Sequence, residues 1–369
     1  MKKILLVFGT RPEAIKMAPL VKALQRDTEH FETKVCVTAQ HRQMLDQVLE
    51  VFDIIPDYDL NIMAPNQDLY DITTKVLLGL RDVLKDFCPD TVLVHGDTTT
   101  SMAASLAAFY RQVAVGHVEA GLRTYDMLSP WPEEMNRQVT DRICTYYFAP
   151  TGKSKQNLLQ ENIDAKKIFV TGNTVIDALL MAVDIISKKP GIKEKLHQEL
   201  RDKGYEVGQR EYILVTGHRR ENFGEGFLHI CKAIRELAAL HPEMDIVYPV
   251  HLSPYVRETA AKYLSGHERI HLIEPLAVDE MHNLMGRSYM VMTDSGGLQE
   301  EAPSLGKPVL VLRRETERPE AIEAGTVRLA GVEEDTIYSM ACTLLRDENE
   351  YHQMAHAVNP YGDGHTSRR

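Results

Sequence analysis

Short apolar, β-branched runs alternate with amphipathic stretches along almost the whole chain of 369 residues. Runs such as Lys3–Phe8 and Thr91–His95 are nearly continuous in apolar residues, whereas Leu69–Phe87 and Phe227–Leu240 carry apolar residues at helical spacing. Continuous apolar strands are typical of parallel sheets that are covered by helices on both faces. The alternation therefore predicts an α/β protein built on doubly wound parallel sheets.

Two series of strands are predicted, and a highly charged stretch (187–211) with three glycines and no strand-like run separates them. The first series is Lys3–Phe8, Lys34–Thr38, Thr91–His95, Val113–Val118 and Tyr147–Ala149, and the second is Tyr212–Thr216, Asp245–Val250, Ile270–Ile273, Tyr289–Thr293 and Pro308–Leu312. The chain is longer than one core usually serves. We therefore predict two Rossmann-like domains, over 1–172 and 173–356, with a hinge and linker at 173–210 and a tail at 357–369. If the two sheets face each other, their carboxyl edges enclose one cleft.

Composition excludes several classes of function. The net charge of −11 argues against nucleic acid as a partner, because a phosphate-binding face needs surplus Lys and Arg. No apolar run approaches the roughly 20 residues of a membrane-spanning helix. The five cysteines are scattered without a CxxC pair, which indicates a reducing cytoplasm and neither disulfides nor zinc. HExxH, GxGxxG after a strand and GxxxxGK[ST] are also missing, so no metal, NAD-type cofactor or P-loop is predicted.

Polar residues collect where the strands of the first series end. In "GTRPEAIKMAP" (9–19), Gly9 permits a tight turn and Pro12 suits the first helical position. Arg11 and Lys16 lie near this helix start, against the preference set by the helix dipole. They therefore suggest an anionic ligand, although a helix start with solvated basic residues is the simpler alternative.

Three acids follow at neighbouring strand ends. Asp97 in "HGDTTTS" resembles a helix N-cap, and Glu119 ends the strand before "AGLRT". Glu133 and Arg137 are spaced i, i+4 and could form a surface ion pair. Each acid alone is more often structural than catalytic, but three of them at adjacent strand ends favour a shared site.

The second series ends in a phosphate-binding pattern. "TDSGGLQEEAPSLGKPV" (293–309) opens a helix at Ser295-Gly296-Gly297, where unpaired N–H groups and the dipole attract an anion. Glu301 would repel phosphate, but its carboxylate can accept hydrogen bonds from both ribose hydroxyls. His218, in "TGHRRENFGEGF" (216–227), is a further polar residue directly after a strand. A nucleoside diphosphate sugar satisfies all of these features.

The motifs together resemble the non-hydrolysing bacterial UDP-N-acetylglucosamine 2-epimerases. They are "FGTRPEAIKMAPL", "TAQHRQMLDQVL", "HGDTTT", "GHVEAGLRT", "PWPEEMNRQ", "GHRREN" and "TDSGGLQEEAPSLGKPVLVLR", and the resemblance continues to "NPYGDG" (359–364). It implies the glycosyltransferase-B fold, two Rossmann-like domains around a central cleft, with a last helix that crosses back to the first domain. The sequence stops at Arg369, about where that helix would continue, so we expect it to be truncated there. A homodimer without a cofactor is also implied.

The resemblance assigns residues to three roles. In the second domain it implies substrate contacts from His218, Leu276, Met281, Ser295, Gly296, Gly297, Glu301 and Arg318, with Leu276 and Met281 at the uracil. In the first domain it implies sugar-side contacts from Arg11, Lys16, Asp97, Glu119, Glu133 and Arg137. Asp97, Glu119 and Glu133 are the candidates for proton transfer, and Arg11, Lys16, His218 and Arg318 are those for stabilising the leaving diphosphate. A second, activating substrate pocket is implied at Gln40, Gln43, Gln67, Glu133, Arg219 and His251.

The chemistry that the resemblance implies interconverts UDP-GlcNAc and UDP-ManNAc, supplying ManNAc for surface polysaccharide. The C2 hydrogen is not adjacent to a carbonyl, and a hydride carrier has no fingerprint here. The remaining route eliminates UDP to a 2-acetamidoglucal and adds it back. A glycosyltransferase or hydrolysing enzyme on the same fold, and a silent UDP-sugar sensor, are the alternatives.

Overall fold

The computed structural model describes residues 1–40, 42–189, 191–316 and 318–369, without the side chains of Gln43 and Met44. The strands are β1 (Lys2–Phe8), β2 (Phe31–Val37), β3 (Tyr58–Asp59), β4 (Thr91–His95), β5 (Ala114–Val118), β6 (Tyr146–Ala149), β7 (Ile168–Val170), β8 (Glu211–Thr216), β9 (Met244–Pro249), β10 (Ile270–Ile273), β11 (Met290–Thr293), β12 (Val309–Val311) and β13 (Val327–Leu329).

Helices follow almost every strand, as the alternation in the sequence predicts. They are α1 (Arg11–Arg26), α2 (Arg42–Val51), α3 (Leu69–Phe87), α4 (Thr99–Tyr110), α5 (Glu133–Ile143), α6 (Gly152–Gln160), α7 (Thr174–Lys188), α8 (Ile192–Asp202), α9 (Glu225–Leu240), α10 (Pro254–Leu264), α11 (Val278–Arg287), α12 (Gly296–Glu301), α13 (Pro319–Glu323), α14 (Glu334–Arg346) and α15 (Glu348–Ala355). Short 3₁₀ turns lie at Ala165–Lys167, Arg220–Asn222, Ala302–Leu305 and Thr366–Arg368. In the described ranges, none of these helices is long and apolar enough to cross a membrane.

The first sheet is parallel throughout and has seven strands in the order β3-β2-β1-β4-β5-β6-β7. Buried side chains such as Leu5, Val7 and Val92 fill its core together with α3 and α4. The strand order reverses between β1 and β4, and open α/β sheets bind their ligands beyond the carboxyl ends at such a point. The loops after β1 and β4 carry Gly9 and Asp97 of the predicted site.

The second sheet repeats this plan with six parallel strands in the order β10-β9-β8-β11-β12-β13. Its core includes Ile213, Val215, Ile246 and Met292. Its order reverses between β8 and β11, and the loops there carry His218 and Ser295. The predicted fold class, two Rossmann-like parallel-sheet domains, is therefore confirmed.

Contacts divide the chain into a first unit, residues 1–178 with 361–369, and a second unit, residues 179–360. The tail of the chain packs within the first unit: Thr366 and Ser367 donate backbone N–H groups to Asp177 at 3.1 and 2.9 Å. The predicted linker holds α7 and α8 and, in its described residues, no strand. The exact domain boundaries that we predicted stay predictions.

The ten predicted strands are all present, with ends that differ by up to three residues. The sequence analysis missed β3, β7 and β13, each of which lies at the edge of its sheet. Four of the five cysteines are buried, and Cys88 is exposed.

Candidate functional site

The turn after β1 is held by a buried carboxylate that the sequence analysis did not identify. Glu13 accepts the backbone N–H groups of Gly9 and Thr10 at 3.1 and 2.8 Å. It also accepts the hydroxyls of Thr98 and Ser101 at 2.7 and 3.0 Å. Burial raises the pKa of Glu13 although these hydrogen bonds oppose the shift. Glu13 thus ties the loop after β1 to the loop after β4.

Gly9 allows this close approach rather than a left-handed turn. A Cβ atom at Gly9 would lie 1.9 Å from Oγ1 of Thr38 at the end of β2, so no larger residue fits. Helix α1 begins at Arg11, so Pro12 is its second residue. Our prediction that Pro12 is the first residue of the helix is wrong. Arg11 is half-buried at this helix start.

Glu119 lies directly after β5 and is nearly buried, with a backbone φ of +68°. Lys16 of α1 and the side-chain amide of Asn173 both donate to its Oε1, the latter at 3.0 Å. Nε2 of His95 lies 3.7 Å from its other oxygen. Burial lowers the pKa of His95 to about 3, so this neighbour is neutral. A cation and an amide thus stabilise the ionised form of the Glu119 carboxylate.

Asp97 has a different environment. Nη1 of Arg137 donates to its Oδ2 at 2.8 Å, and the side-chain amide of Asn136 donates to its backbone carbonyl. Burial raises the pKa of Asp97, and the charge of Glu119 adds to the shift while Arg137 opposes it. The predicted N-cap role is wrong: Thr98 caps α4 by accepting the N–H of Ser101. The carboxylate of Asp97 therefore does not cap the helix and is available to act in the candidate site.

Helix α5 supplies Arg137 and two acids. Arg137 pairs with Glu134 at 3.1 Å and with Asp97, so the alternative of a surface pair between Glu133 and Arg137 is wrong. Burial raises the pKa of Glu134, but Gln138 and the N–H groups of two loop residues outweigh it and the net shift is downward. Glu133 begins the helix, is half-buried, and is near enough for its charge to act on Asp97.

A buried charged network lies behind the two loops that carry Asp97 and Glu119. Nδ1 of His117 lies 2.5 Å from Asp141, and its Nε2 lies 2.7 Å from the Gly96 carbonyl. Asp141 also accepts the N–H of Gly121 and pairs with Arg123. Both ring nitrogens of His117 face acceptors, and only a doubly protonated ring would donate to both of them. Burial alone lowers its pKa, but Asp141 and the carbonyl outweigh burial and raise it.

In the second unit, α12 begins at Gly296 with Ser295 as its N-cap, and no side chain caps it. A Cβ atom at Gly296 would lie 3.7 Å from Nη2 of Arg318 and 3.9 Å from Nη2 of Arg219. Two guanidinium groups therefore converge on an uncapped helix N-terminus, which is an arrangement for an anion. Glu300 accepts from Nε of Arg318 at 2.5 Å and orients this side chain.

Asp294 fixes the neighbouring loop, and sequence reasoning missed it. Its Oδ2 accepts the backbone N–H groups of His218 and Arg219, both at 2.8 Å. Burial lowers the pKa of His218, although Asp294 opposes the shift. His218 stacks on His251 with ring centroids 4.9 Å apart. A neutral His218 can both accept and donate a hydrogen bond beside the anion site.

The remaining predicted substrate contacts lie at the same edge of the second sheet. Glu301 ends α12, and Nε2 of the buried His282 lies 3.4 Å from its Oε2. Leu276 follows β10 and Met281 lies in α11, and both are half-buried. His282 is another residue that the sequence analysis missed.

The residues predicted for a second pocket are spread over both units. Oε1 of Gln40 accepts the hydroxyl of Thr100 at 3.1 Å, and Oε1 of Gln67 accepts the N–H of Ala64 at 3.1 Å. His251 is exposed apart from its stacking on His218. The side chain of Gln43 lies outside the described residues. Arg219 lies at Gly296, beside the predicted diphosphate site.

Comparisons with known proteins identify the family of this chain. A family model described as UDP-N-acetylglucosamine 2-epimerase matches residues 22–369. The UDP-N-acetylglucosamine 2-epimerase of Salmonella typhimurium is 58% identical over 367 residues, covering 100% of this chain and 96% of that protein. The crystal structure of the Neisseria meningitidis UDP-GlcNAc 2-epimerase bound to UDP-GlcNAc is 52% identical, has a TM-score of 0.85 and covers 99% of this chain and 97% of that chain. The S. aureus MnaA–UDP co-structure is 52% identical, with a TM-score of 0.80 and coverage of 100% and 94%.

Proposed function

This chain belongs to the UDP-N-acetylglucosamine 2-epimerase family, and we propose that it epimerises UDP-GlcNAc at C2 by eliminating UDP and adding it back. The product is UDP-ManNAc, a donor of ManNAc for surface polysaccharide. In this assignment the second unit binds the nucleotide and the first unit transfers the proton.

The observation that carries the nucleotide assignment is the cationic, uncapped start of α12. The N–H groups of Gly296 and Gly297 bind the diphosphate, and the guanidinium groups of Arg318 and Arg219 neutralise it. Glu301 accepts from the ribose hydroxyls, and the segment from Leu276 to Met281 contacts the uracil. The cations that hold UDP in the ground state also stabilise the charge that develops when it leaves.

The environments of the two buried acids support different roles in proton transfer. Glu119 receives hydrogen bonds from Lys16 and Asn173, which favour the ionised form that a base needs. The pKa of Asp97 is raised by burial, which favours the protonated form that an acid needs. We assign Glu119 as the base and Asp97 as the acid for epimerisation of UDP-GlcNAc. Glu133, which is more exposed, completes the set of acids.

The elimination of UDP and its re-addition need no reagent besides the substrate and the two carboxyl groups. Glu119 takes the proton from C2, the C–H electrons form the C1=C2 bond of 2-acetamidoglucal, and the C1–O bond breaks toward the β-phosphate of UDP. UDP then adds back to C1 while Asp97 delivers a proton to the opposite face of C2. The reverse reaction exchanges the roles of the two acids.

Incubation of the purified protein with UDP-GlcNAc in D₂O tests this function. We expect UDP-ManNAc to form and deuterium to appear at C2 of both sugar nucleotides. Free sugar together with UDP as the lasting products would instead indicate a hydrolase. Binding of UDP-GlcNAc without exchange at C2 would indicate a sensor.

Three finer properties stay predictions, and the same preparation can test two of them. We propose a homodimer in the cytoplasm, and the mass in solution by light scattering tests the dimer. We also propose the second substrate pocket that includes Gln40, Gln67 and His251, which predicts sigmoidal saturation by UDP-GlcNAc. A hyperbolic curve with full turnover would contradict that pocket. Arg219→Ala alone is a poor test of it, because Arg219 also lies at Gly296.

A further inference from the structure

Asn173 joins the Glu119 carboxylate to the end of the chain. Its side-chain oxygen accepts the N–H of Val175 at 3.1 Å, which turns the amide nitrogen toward Oε1 of Glu119 at 3.0 Å. Its backbone N–H donates to the carbonyl of Tyr361 at 2.6 Å. Asn173 and Tyr361 are both buried, so water does not compete for these contacts.

The C-terminal tail, residues 361–369, forms hydrogen bonds with residues on both sides of Asn173 in the sequence. Asp177 accepts the N–H groups of Thr366 and Ser367 and the hydroxyl of Ser367, the last at 2.7 Å. A guanidinium nitrogen of Arg369 donates to the carbonyl of Thr171 at 2.9 Å. A Cβ atom at Gly172, where φ is +93°, would lie 3.0 Å from the carbonyl oxygen of Tyr361, so the two backbones are in close contact. The tail thus contacts residues on both sides of Asn173 in the sequence.

The same tail also packs against α1, the helix that carries Lys16. Lys16 and Asn173 both donate to Oε1 of Glu119. The segment from Tyr361 to Arg369 therefore contacts both elements that orient this carboxylate, although no residue of the segment is itself placed in the site. The "NPYGDG" motif ends in this segment and has no other role in the function described above.

We propose that the tail Tyr361–Arg369 positions the Glu119 carboxylate for proton transfer at C2, and that it acts through Asn173 and Asp177 as positioning residues. The proposal rests on the proposed function, because it concerns the base of that reaction. The charged or titratable groups that face Glu119 include Lys16 on α1, His95 on β4 and Asp97 after β4. His95 is neutral, whereas Lys16 and Asn173 donate hydrogen bonds that favour the ionised form of Glu119.

The test compares kcat against pH for the wild type, Asn173→Ala, Asp177→Asn and the double variant. Loss of the amide donor makes Glu119 easier to protonate, so we expect the acid limb of the kcat profile to move to higher pH. We expect kcat to fall about ten- to a hundredfold in Asn173→Ala, as misplaced catalytic groups do. We expect a smaller fall, about threefold to tenfold, in Asp177→Asn, which weakens the tail one step further away. The affinity for UDP, which binds the second unit, should change less than about twofold on this reasoning.

If the tail acts through Asn173, the losses in log kcat will not add in the double variant. Asp164→Ala is the matched control: it removes an exposed cap of the 3₁₀ turn at Ala165–Lys167, in the first unit, and should leave the kcat profile unchanged. Additive losses in the double variant would overturn the proposal. An unmoved acid limb in Asn173→Ala would also overturn it, if the melting temperature of that variant falls no further than that of Asp164→Ala. If Asn173→Ala does not fold, an unchanged kcat profile in Asp177→Asn overturns it alone. Absence of C2 exchange in the wild type would refute the proposed function itself, before any variant is compared.

Discussion

Replacing Gly296 by alanine separates the stability of the second unit from its binding of UDP. The added Cβ would lie 3.7 Å from Nη2 of Arg318, 3.8 Å from its Cζ and 3.9 Å from Nη2 of Arg219. These are ordinary van der Waals contacts, so the free protein has room for the methyl group. Alanine is also favoured over glycine in a helix by up to about 1 kcal/mol. We therefore expect the unfolding free energy of Gly296→Ala to stay constant or rise slightly.

Binding of UDP should respond in the opposite sense. The methyl group enters the space between the N–H groups that open α12 and the two guanidinium groups, where we place the diphosphate. One hydrogen bond to a charged group contributes about 1.5–3 kcal/mol. Since about 1.4 kcal/mol is a tenfold change in Kd, the loss of one such contact should raise the Kd for UDP by roughly ten- to 150-fold.

Titration calorimetry with UDP measures this change, and thermal melting of the free protein measures stability. Gly286→Ala is the matched control, because this glycine lies in α11 of the same unit and its Cβ would approach only Leu305, at 3.9 Å. We expect Gly286→Ala to bind UDP as the wild type does. Wild-type affinity in Gly296→Ala would refute the diphosphate site, and so would weaker binding that is matched by a loss of stability.

Two further predictions concern the first unit. Asp141→Asn removes one partner of the buried network with His117 and Arg123, so we expect chemical denaturation to show a loss of about 3–5 kcal/mol. Burial raises the pKa of Asp141, but His117 and Arg123 outweigh burial and lower it. This stabilisation is therefore present above the unfolded-state pKa and is lost as the pH falls through the folded-state value. If Asp141→Asn lost as much stability at strongly acidic pH as at neutral pH, that result would contradict this account. Arg137→Met removes the cation that opposes the raised pKa of Asp97, so we expect the basic limb of the kcat profile to move to higher pH, whereas Arg142→Met, at the exposed end of α5, should leave it unchanged. An unmoved basic limb in Arg137→Met would count against Asp97 as the acid.

The pattern of apolar runs predicted the central strands because both of their faces are buried. The central strand β4 agrees with the prediction to the residue, and so does β10, although β10 lies at the edge of the second sheet. The missed strands are short and lie at sheet edges, where one side of the strand has no neighbour. In β7, for example, the apolar run is only the three residues Ile168–Val170, and Phe169 and Val170 are exposed. Edge strands of two or three residues depend on the sheet beside them and not on their own sequence.

We predicted the site residues by searching for polar residues at strand ends. This search does not find contacts between residues that are distant in the sequence. Local sequence suggested Asp97 as an N-cap, but the choice between Asp97 and Thr98 depends on which residue begins α4. Glu13 resembled an ordinary acid in the first turn of a helix, whereas its four partners come partly from a loop 85 residues away. Asn173 and Asp294 act on residues that are 54 and 76 positions distant. Such contacts exist only after the sheet has brought the loops together.

The fate of the anomeric oxygen tests the central claim, that UDP leaves the sugar and returns to it. UDP-GlcNAc labelled with ¹⁸O in the bridge between C1 and the β-phosphate can be incubated with the protein and followed by ³¹P NMR. If UDP is released from C1 and held at the start of α12, the β-phosphate can rotate, and the label should move into its non-bridging positions during epimerisation. Formation of UDP-ManNAc up to equilibrium with all of the label still in the bridge would contradict the account.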